Sequence, residues 1–180
     1  MYEAYNKIAM FDLDGTLVET DDAVNASYAS AFERVGSEIK IAGRMTMGVV
    51  RQLLPGVSDA ELAVLARLKD EAYAQQLCRT ALGPAAMALR KIVNGNSSFE
   101  KLVLLTDSKE RRAMETLRHH GLLGFFDEVV CNGGQGDKYA NYFKNHDSDP
   151  AACVAWENEP EKIKSAIAAG VKAENARKVG

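Results

Sequence analysis

The segment IAMFDLDGTL at residues 8–17 joins an apolar run to two carboxylates and a glycine. A short, continuous apolar run that ends at turn residues is typical of a strand buried in a parallel sheet. Where strand geometry continues past the run, Asp12 and Asp14 leave the chain on the same side. Paired carboxylates can bind a hard divalent cation, attack phosphorus or transfer a proton. Asp and Gly are also common turn residues, so an ordinary turn is the alternative at this point.

Similar apolar runs recur along the chain, and polar residues follow each of them. They lie at residues 102–105, 129–131 and 152–156, and helical patterns separate them. Ser108 is a candidate N-cap for the helix after the second run. This alternation predicts an α/β fold with a doubly wound, Rossmann-like parallel sheet and helices on both faces. Ligands bind beyond the carboxyl ends of such strands, so the polar residues there are candidate site residues.

Residues 18–82 interrupt this alternation and carry helical patterns alone. Residues 44–54 indicate a short helix, and Ser58 with Glu61 forms a capping box before an apolar stripe. The sequence therefore predicts two parts. Residues 1–17 and 83–180 would form an α/β core, and residues 18–82 would form an inserted all-helical cap.

Composition and charge restrict the kinds of partner that the chain can have. The 180 residues carry a formal net charge of -3, and 47% of them are hydrophobic. This balance argues against nucleic acid and anionic membranes, since both call for a basic patch. No apolar run approaches the roughly 18 residues of a membrane span, and the first residues do not resemble a secretion signal. The three cysteines lack CxxC spacing, and Cys131 and Cys153 in apolar runs predict buried thiols in a cytoplasmic protein.

Four segments resemble, in order, the motifs of the haloacid dehalogenase-like superfamily, which consists mostly of phosphatases and phosphotransferases. Phe11–Leu17 resembles the first motif and Leu104–Ser108 the second. Lys138 stands where the lysine of the third motif is expected, and Trp156–Pro160 resembles the fourth. The helical insert after the first strand is placed as in the subfamily that includes beta-phosphoglucomutase and phosphoglycolate phosphatase.

The resemblance implies a role for each matching residue. Asp12 would be the nucleophile and a magnesium ligand. Asp14 would be the general acid and base, and its backbone carbonyl would also bind the metal. Thr106 would hydrogen-bond a phosphoryl oxygen, and Lys138 would neutralise charge between the phosphate and the nucleophile. The alternative for Lys138 is a solvated surface lysine, and Lys144 is the substitute if the loop aligns differently.

Candidate substrate-binding residues come from both predicted parts of the chain. Gly15 lets the backbone turn sharply and bring its amides near a phosphate. Asp107 and Ser108 belong to the second motif. In the insert, the loop that contains Arg44 and Thr46 resembles the substrate-specificity loop of the family. An arginine there can reach the distal part of a small phosphorylated substrate, and a solvated arginine is the alternative for Arg44.

The fourth motif departs from the family pattern. The family normally has an aspartate where this chain has Asn158, and an amide offers magnesium an oxygen with one negative charge fewer. Glu157 resembles another version of the motif and can supply the missing charge, and Glu159 is a third candidate ligand. Helix capping by Asn158 and first-turn acids at the two glutamates are the alternatives. Tyr139 also replaces a common proline, and the segment from Lys138 to Glu157 is short for the family.

These motifs predict a magnesium-dependent phosphatase that hydrolyses a small phosphate monoester through an aspartyl-phosphate on Asp12. A phosphomutase of the same family is one alternative. A catalytically impaired protein that binds a phosphorylated ligand is another, because Asn158 weakens the fourth motif. A phospho-receiver domain fits poorly, since its aspartate does not lie on the first strand and no helical insert interrupts its sheet. The expected partner is a small phosphorylated metabolite, and the expected assembly is a monomer or a homodimer.

Overall fold

The computed structural model describes residues 7–95 and 98–180, and these form two compact units. One unit comprises the described parts of Met1–Val18 and Leu82–Gly180, and the other comprises Glu19–Ala81. The first unit contains strands and helices. The second is helical, apart from loops and the end residues of two short strands. The first six residues of the predicted core lie outside the described residues.

A five-stranded parallel sheet forms the centre of the α/β unit. Its strands, in spatial order, are β5 (Glu128–Cys131), β4 (Lys101–Thr106), β1 (Ile8–Phe11), β6 (Cys153–Glu157) and β7 (Ala176–Lys178). A separate two-stranded sheet pairs β2 (Val18–Glu19) with β3 (Ala81–Leu82). Because β1 is central, the chain extends the sheet first to one side and then to the other. This order confirms the predicted doubly wound α/β fold.

The pairing register brings the carboxyl ends of the three central strands to one edge of the sheet. Phe11 of β1 lies opposite Leu104 of β4 and Trp156 of β6. The backbone N–H of Asp12 donates to the carbonyl oxygen of Trp156 at 3.1 Å, so the pairing continues one residue beyond β1. Motif residues that are far apart in the sequence are therefore neighbours at this edge, where α/β sheets bind ligands.

Helices cover both faces of the sheet. They are α4 (Ala86–Val93), α5 (Glu110–His119), α6 (Lys138–Asn145) and α7 (Pro160–Ala168). Alternate side chains of β1 point to opposite faces. Phe11 belongs to the apolar core formed with Leu89 of α4 and Leu117 of α5, whereas Met10 belongs to the core formed with α6 and α7.

A cluster of aromatic side chains lies directly under the carboxyl edge. Trp156, the one tryptophan of the sequence, is buried and stacks on Phe11 with the ring centroids 4.4 Å apart. Phe99 meets the same indole edge-on at 5.9 Å, and the guanidinium carbon of Arg177 lies 5.0 Å from its centroid. Such stacked and edge-on contacts favour a single packing arrangement. The residues that follow β1 and β6 therefore start from a well-packed base.

The helical unit contains α1 (Asp21–Arg34), α2 (Met47–Leu53) and α3 (Asp59–Tyr73). The capping box that the sequence predicts before α3 is present. The Ser58 hydroxyl accepts from the N–H of Glu61 at 3.3 Å, and the Glu61 carboxylate accepts from the N–H of Ser58 at 2.9 Å. Buried side chains of α1 and α3 share one apolar core, which includes Phe32 and Leu65.

The second helix of this unit is shorter than the one predicted at residues 44–54. It begins at Met47, because the Thr46 hydroxyl accepts from the N–H of Val49 at 3.2 Å and caps the first turn. Arg44 therefore lies in the loop before α2. Thr46 ends that loop, and its hydroxyl takes part in the helix cap.

Two expectations from the sequence, on membrane spans and on buried cysteines, can be compared with the structure. Within the residues that the structure describes, no helix is long and apolar enough to cross a membrane. Cys153 is buried, as predicted, but Cys131 is only half-buried and Cys78 is exposed. Cys131 ends β5, which lies at the edge of the five-stranded sheet formed by the described residues, and it is therefore less covered than Cys153 of the inner strand β6.

Two residues of α4 provide a test of the core. Leu89 is completely buried in the core beneath β1, whereas Met87 on the same helix is 61% exposed. Leu89→Ala should lower the free energy of unfolding by about 2–5 kcal/mol, because it removes buried methyl groups and leaves a cavity. Met87→Ala should change it by less than about 0.5 kcal/mol. Chemical denaturation of both variants checks this, and equal losses would contradict the packing described.

Candidate active site

Asp12 begins a tight loop at the carboxyl edge of the sheet. The loop closes because the carbonyl oxygen of Leu13 accepts from the backbone N–H groups of Leu17 and Val18, each at 3.0 Å. Asp12 is only 7% exposed, so its carboxylate is largely removed from water. Burial raises the pKa of Asp12, and the ammonium group of Lys138 opposes this effect.

Gly15 allows this loop to approach the fourth motif. Its φ of 73° lies in the left-handed region, and its N–H donates to the carbonyl oxygen of Val18 at 2.8 Å. A Cβ atom at this position would lie 2.2 Å from the side-chain nitrogen of Asn158. The Asn158 oxygen Oδ1 accepts from the hydroxyl of Thr16 at 3.3 Å. The residue that departs from the family pattern is therefore packed against the first motif.

Lys138 binds the end of every central strand. It is the first residue of α6, and the Asp137 carboxylate caps this helix by accepting from the N–H of Ala140 at 2.9 Å. The buried ammonium donates to Asp12 Oδ1 at 2.6 Å and to the carbonyl oxygen of Leu105 at 2.9 Å, and it pairs with Glu157 Oε1 at 2.7 Å. Burial lowers the pKa of Lys138, but the two carboxylates outweigh this effect and raise the pKa above its ordinary value. Lys138 therefore stays charged.

Glu157 is held by two partners inside the protein. Its Oε1 atom lies beside Lys138 and also accepts from the hydroxyl of Tyr139 at 2.8 Å. Burial, together with the nearby charge of Asp12, raises the pKa of Glu157 to about 7. Tyr139, which replaces the common proline, thus has a specific contact at the site. One ammonium faces two carboxylates here, so an added cation would be electrostatically favoured.

Thr106 is the last residue of β4, and Ser108 follows it at the same edge. The hydroxyl of Thr106 accepts from the backbone N–H of Ser108 at 3.1 Å, which leaves the hydroxyl hydrogen able to donate to a ligand. The sequence predicts Ser108 as the N-cap of α5, but this helix begins at Glu110 with Lys109 in the capping position. The prediction is wrong because the hydroxyl of Ser108 donates to Asp14 instead.

Asp14 is bound by Ser108 of the second motif and by Arg112 of α5. Its Oδ2 atom accepts from the hydroxyl of Ser108 and from Arg112 Nη2, the latter at 2.6 Å. Arg112 Nη2 also contacts the hydroxyl of Ser108. The side chain of Asp14 is 14% exposed and that of Arg112 is 20% exposed, so the ion pair is shielded but can be reached from solvent.

The remaining predicted substrate-binding residues have other partners. The carboxylate of Asp107 is bound by Lys162 and by the side-chain amide of Asn132, the latter at 2.8 Å. Arg44 and Thr46 belong to the helical unit, where Arg44 pairs with Asp21 at 3.2 Å. Within the α/β unit, the structure therefore brings together the catalytic candidates of all four motifs.

Sequence reasoning missed two residues that contact the candidate catalytic groups. Arg112 binds Asp14. The sequence feature that could have pointed to Arg112 is its place in the first turn of a helix, where a cation is electrostatically unfavourable. Tyr139 binds Glu157, and its signal was the departure from proline directly after Lys138. Neither signal identifies the partner, because the contacts depend on how separate strands are arranged.

The side chains at this edge allow a test of the predicted magnesium site. Across residues 7–95 and 98–180, no three His, Cys, Asp or Glu side chains form a group that could hold a metal ion. The carboxylate of Asp12 and Oδ1 of Asn158 are nevertheless oxygen donors of the kind that magnesium prefers. Glu157 Oε2 is buried and has no hydrogen-bond partner among the described residues. The donors therefore fit a hard cation, bound with fewer negative charges than three carboxylates would supply.

The order of the motifs and the geometry of this edge agree with one protein family. Residues 9–175 match the family described as haloacid dehalogenase-like hydrolase. The chain belongs to the haloacid dehalogenase-like hydrolases. The resemblance drawn from the four motifs is confirmed, and so is the expectation that the chain is an enzyme of the hydrolase class.

Named relatives of this hydrolase span nearly its whole length. The fructose-1-phosphate phosphatase YqaB of Escherichia coli strain K12 is 25% identical, and the match covers 98% of this chain and 99% of YqaB. Protein CbbY of Rhodobacter capsulatus is also 25% identical, and the match covers 92% of this chain and 83% of CbbY. The crystal structure of CbbY from Rhodobacter sphaeroides in complex with phosphate matches with a TM-score of 0.75 at 18% identity, covering 92% and 84% of the two chains.

The role of Lys138 in the hydrolase fold can be tested against Lys144. Lys138→Met should lower the free energy of unfolding by about 3–5 kcal/mol, because it leaves the carboxylates of Asp12 and Glu157 buried without their cation. Lys144→Met should change it by less than about 0.5 kcal/mol, since Lys144 is exposed. Adding Glu157→Gln to Lys138→Met should recover part of the loss. Chemical denaturation measures all three, and a larger effect at Lys144 would assign the third motif to that residue instead.

Proposed function

We propose that this hydrolase is a magnesium-dependent phosphatase that cleaves a small phosphate monoester through a phosphoryl group held on Asp12. The observation that carries the proposal is the ion pair between two buried residues, Asp12 and Lys138. The ammonium of Lys138 lies 2.6 Å from Oδ1 of Asp12, at the edge of the sheet that also carries Thr106 and Asp14. The relatives support a phosphatase, because YqaB is named for the hydrolysis of fructose 1-phosphate and CbbY was solved with phosphate.

The reaction would proceed in two steps. In the first, an oxygen of Asp12 attacks phosphorus while the bond to the leaving oxygen breaks, and Asp14 gives that oxygen a proton. In the second, water attacks the phosphorus of the aspartyl-phosphate, Asp14 takes a proton from this water, and phosphate leaves with Asp12 restored. Lys138 and the hydroxyl of Thr106 would stabilise the phosphoryl oxygens throughout.

The magnesium ion would be held by the carboxylate of Asp12, the backbone carbonyl of Asp14 and the side-chain oxygen of Asn158. When bound, it supplies positive charge that makes a phosphoryl group easier to attack. Glu157, the other predicted ligand, has one oxygen bound by Lys138 and Tyr139. It would bind the metal ion through its other oxygen, or would stabilise the ion through its charge alone. Glu159 stays a third candidate metal ligand, predicted from the sequence.

The substrate class follows from the family and from the candidate residues. The proposed substrate is a small phosphorylated metabolite, with Gly15 and Ser108 near its phosphate and with Arg44 and Thr46 binding its distal part. The roles of Arg44, Thr46 and Asp107 stay predictions from the sequence. So do the cytoplasmic location, the lack of a nucleic-acid partner and the assembly as a monomer or a homodimer.

A second candidate function is binding of a phosphorylated ligand without turnover. One observation favours it: the fourth motif offers the amide of Asn158 where the family has a carboxylate. A site with fewer negative charges binds magnesium more weakly, and weak binding would limit the reaction. The two candidates differ in whether phosphate is released.

Asp12→Asn tests the nucleophile. This variant should reduce magnesium-dependent phosphate release from an aryl phosphate by about a thousandfold or more, because an amide does not attack phosphorus. Asp147→Asn is the matched control, since Asp147 is an exposed loop residue of the same unit and should leave the rate unchanged. Release that persists in Asp12→Asn would refute the proposed nucleophile. No release by the native chain would favour the ligand-binding alternative.

Asn158→Asp tests how far the departure in the fourth motif weakens the metal site. Restoring a carboxylate should lower the magnesium concentration needed for half-maximal phosphate release several-fold, since one more negative charge faces the cation. The measurement is a magnesium titration of phosphate release at saturating substrate. An unchanged requirement would show that Asn158 does not contact the metal.

A further inference from the structure

Arg112 occupies a position that helix electrostatics does not favour. It is the third residue of α5, where the exposed N–H groups of the first turn carry partial positive charge. Its neighbour Arg111 pairs with Glu115 one turn later at 2.9 Å, so that cation is compensated within the helix. Arg112 instead extends to Asp14, which lies 98 residues earlier in the chain. The position of Arg112 therefore depends on an anion outside its own helix.

The anion that Arg112 binds is Asp14, the proposed general acid and base. Arg112 Nη2 lies 2.6 Å from Asp14 Oδ2, and the hydroxyl of Ser108 contacts both groups. One oxygen of Asp14 thus accepts two hydrogen bonds. In this arrangement, Oδ2 of Asp14 binds donors of the protein and does not face a substrate.

The guanidinium group of arginine binds carboxylates and phosphates by the same planar arrangement of N–H donors. A phosphoryl group can therefore replace a carboxylate on the same arginine. The hydroxyl of Thr106, which is proposed to bind a phosphoryl oxygen, accepts from the N–H of Ser108 at 3.1 Å, and Ser108 in turn contacts Arg112. Arg112 is thus separated from Thr106 by a single residue in this chain of contacts.

We propose that Arg112 is a phosphate-binding residue and that the carboxylate of Asp14 occupies its guanidinium until a phosphoryl group takes that place. The proposal rests on the proposed function for the location of the phosphoryl group, but it does not depend on turnover. Binding of phosphate releases Asp14 from Arg112, so the same event that fills the site frees the proposed acid and base. Asp14 and phosphate compete for one cation.

Competition of this kind predicts an interaction between two substitutions. Arg112→Ala should weaken binding of inorganic phosphate about tenfold or more, because a charged hydrogen-bond donor is lost. Asp14→Asn should strengthen it, since the competing carboxylate is removed. In the double variant the gain from Asp14→Asn should disappear, because no guanidinium is left to release. Simple repulsion between Asp14 and phosphate would instead give the same gain with or without Arg112.

The experiment is isothermal titration calorimetry of inorganic phosphate into the native chain, the two single variants and the double variant, in excess magnesium. Arg111→Ala is the control, since it removes a cation from the same turn and should leave the dissociation constant unchanged. Arg112→Lys keeps the charge but not the planar donor group, and it should retain only part of the affinity. Thermal unfolding of each variant confirms that the unit is folded.

The outcomes separate this proposal from the proposed function. A dissociation constant unaffected by Arg112→Ala, or a gain from Asp14→Asn that persists in the double variant, would overturn the role of Arg112. Absence of phosphate binding by the native chain would overturn it as well. Failure of the proposed function appears in a different assay, as absence of phosphate release from the aryl phosphate, and it leaves the phosphate titrations unaffected.

Discussion

The arrangement of the carboxyl edge depends on the contacts of one buried group, the ammonium of Lys138. It reaches Asp12 after β1, the carbonyl oxygen of Leu105 in β4 and Glu157 at the end of β6, so one charge joins three neighbouring strands. Removing a lysine from water is unfavourable, and only partners in good geometry offset that cost. The start of α6 must therefore lie over this edge, and the cap provided by Asp137 holds it there.

The same ammonium sets the charge balance of the site. Two carboxylates and one ammonium leave one negative charge in a region with little water, which suits either a cation or a proton. Asp14 with Arg112, and Asp107 with Lys162, repeat the pairing of acid and base around the edge. The edge thus holds its acids close together because a cation lies beside each of them.

Much of the fold could be predicted from the sequence, because each buried strand is a continuous apolar run that ends at a motif residue. The position of Lys138 followed from motif order, although its contact with Glu157 did not. The N-terminus of α5 was misplaced, because the local preference of Ser108 for a helix cap was overridden by Asp14, which approaches from another strand. The contacts of Arg112 with Asp14 and of Tyr139 with Glu157 were missed for the same reason. Their partners are set by the sheet order, and local patterns carry no information about such contacts.

The stack of Trp156 on Phe11 has a practical consequence. The chain contains one tryptophan, and it lies in the α/β unit next to Glu157, with its indole ring buried. Its fluorescence therefore comes from a single place, between the core of the sheet and the candidate site. The helical unit has no such fluorophore, so the emission spectrum reports unfolding of the α/β unit by itself. Circular dichroism, to which the helices of both units contribute, would show whether the two units unfold together.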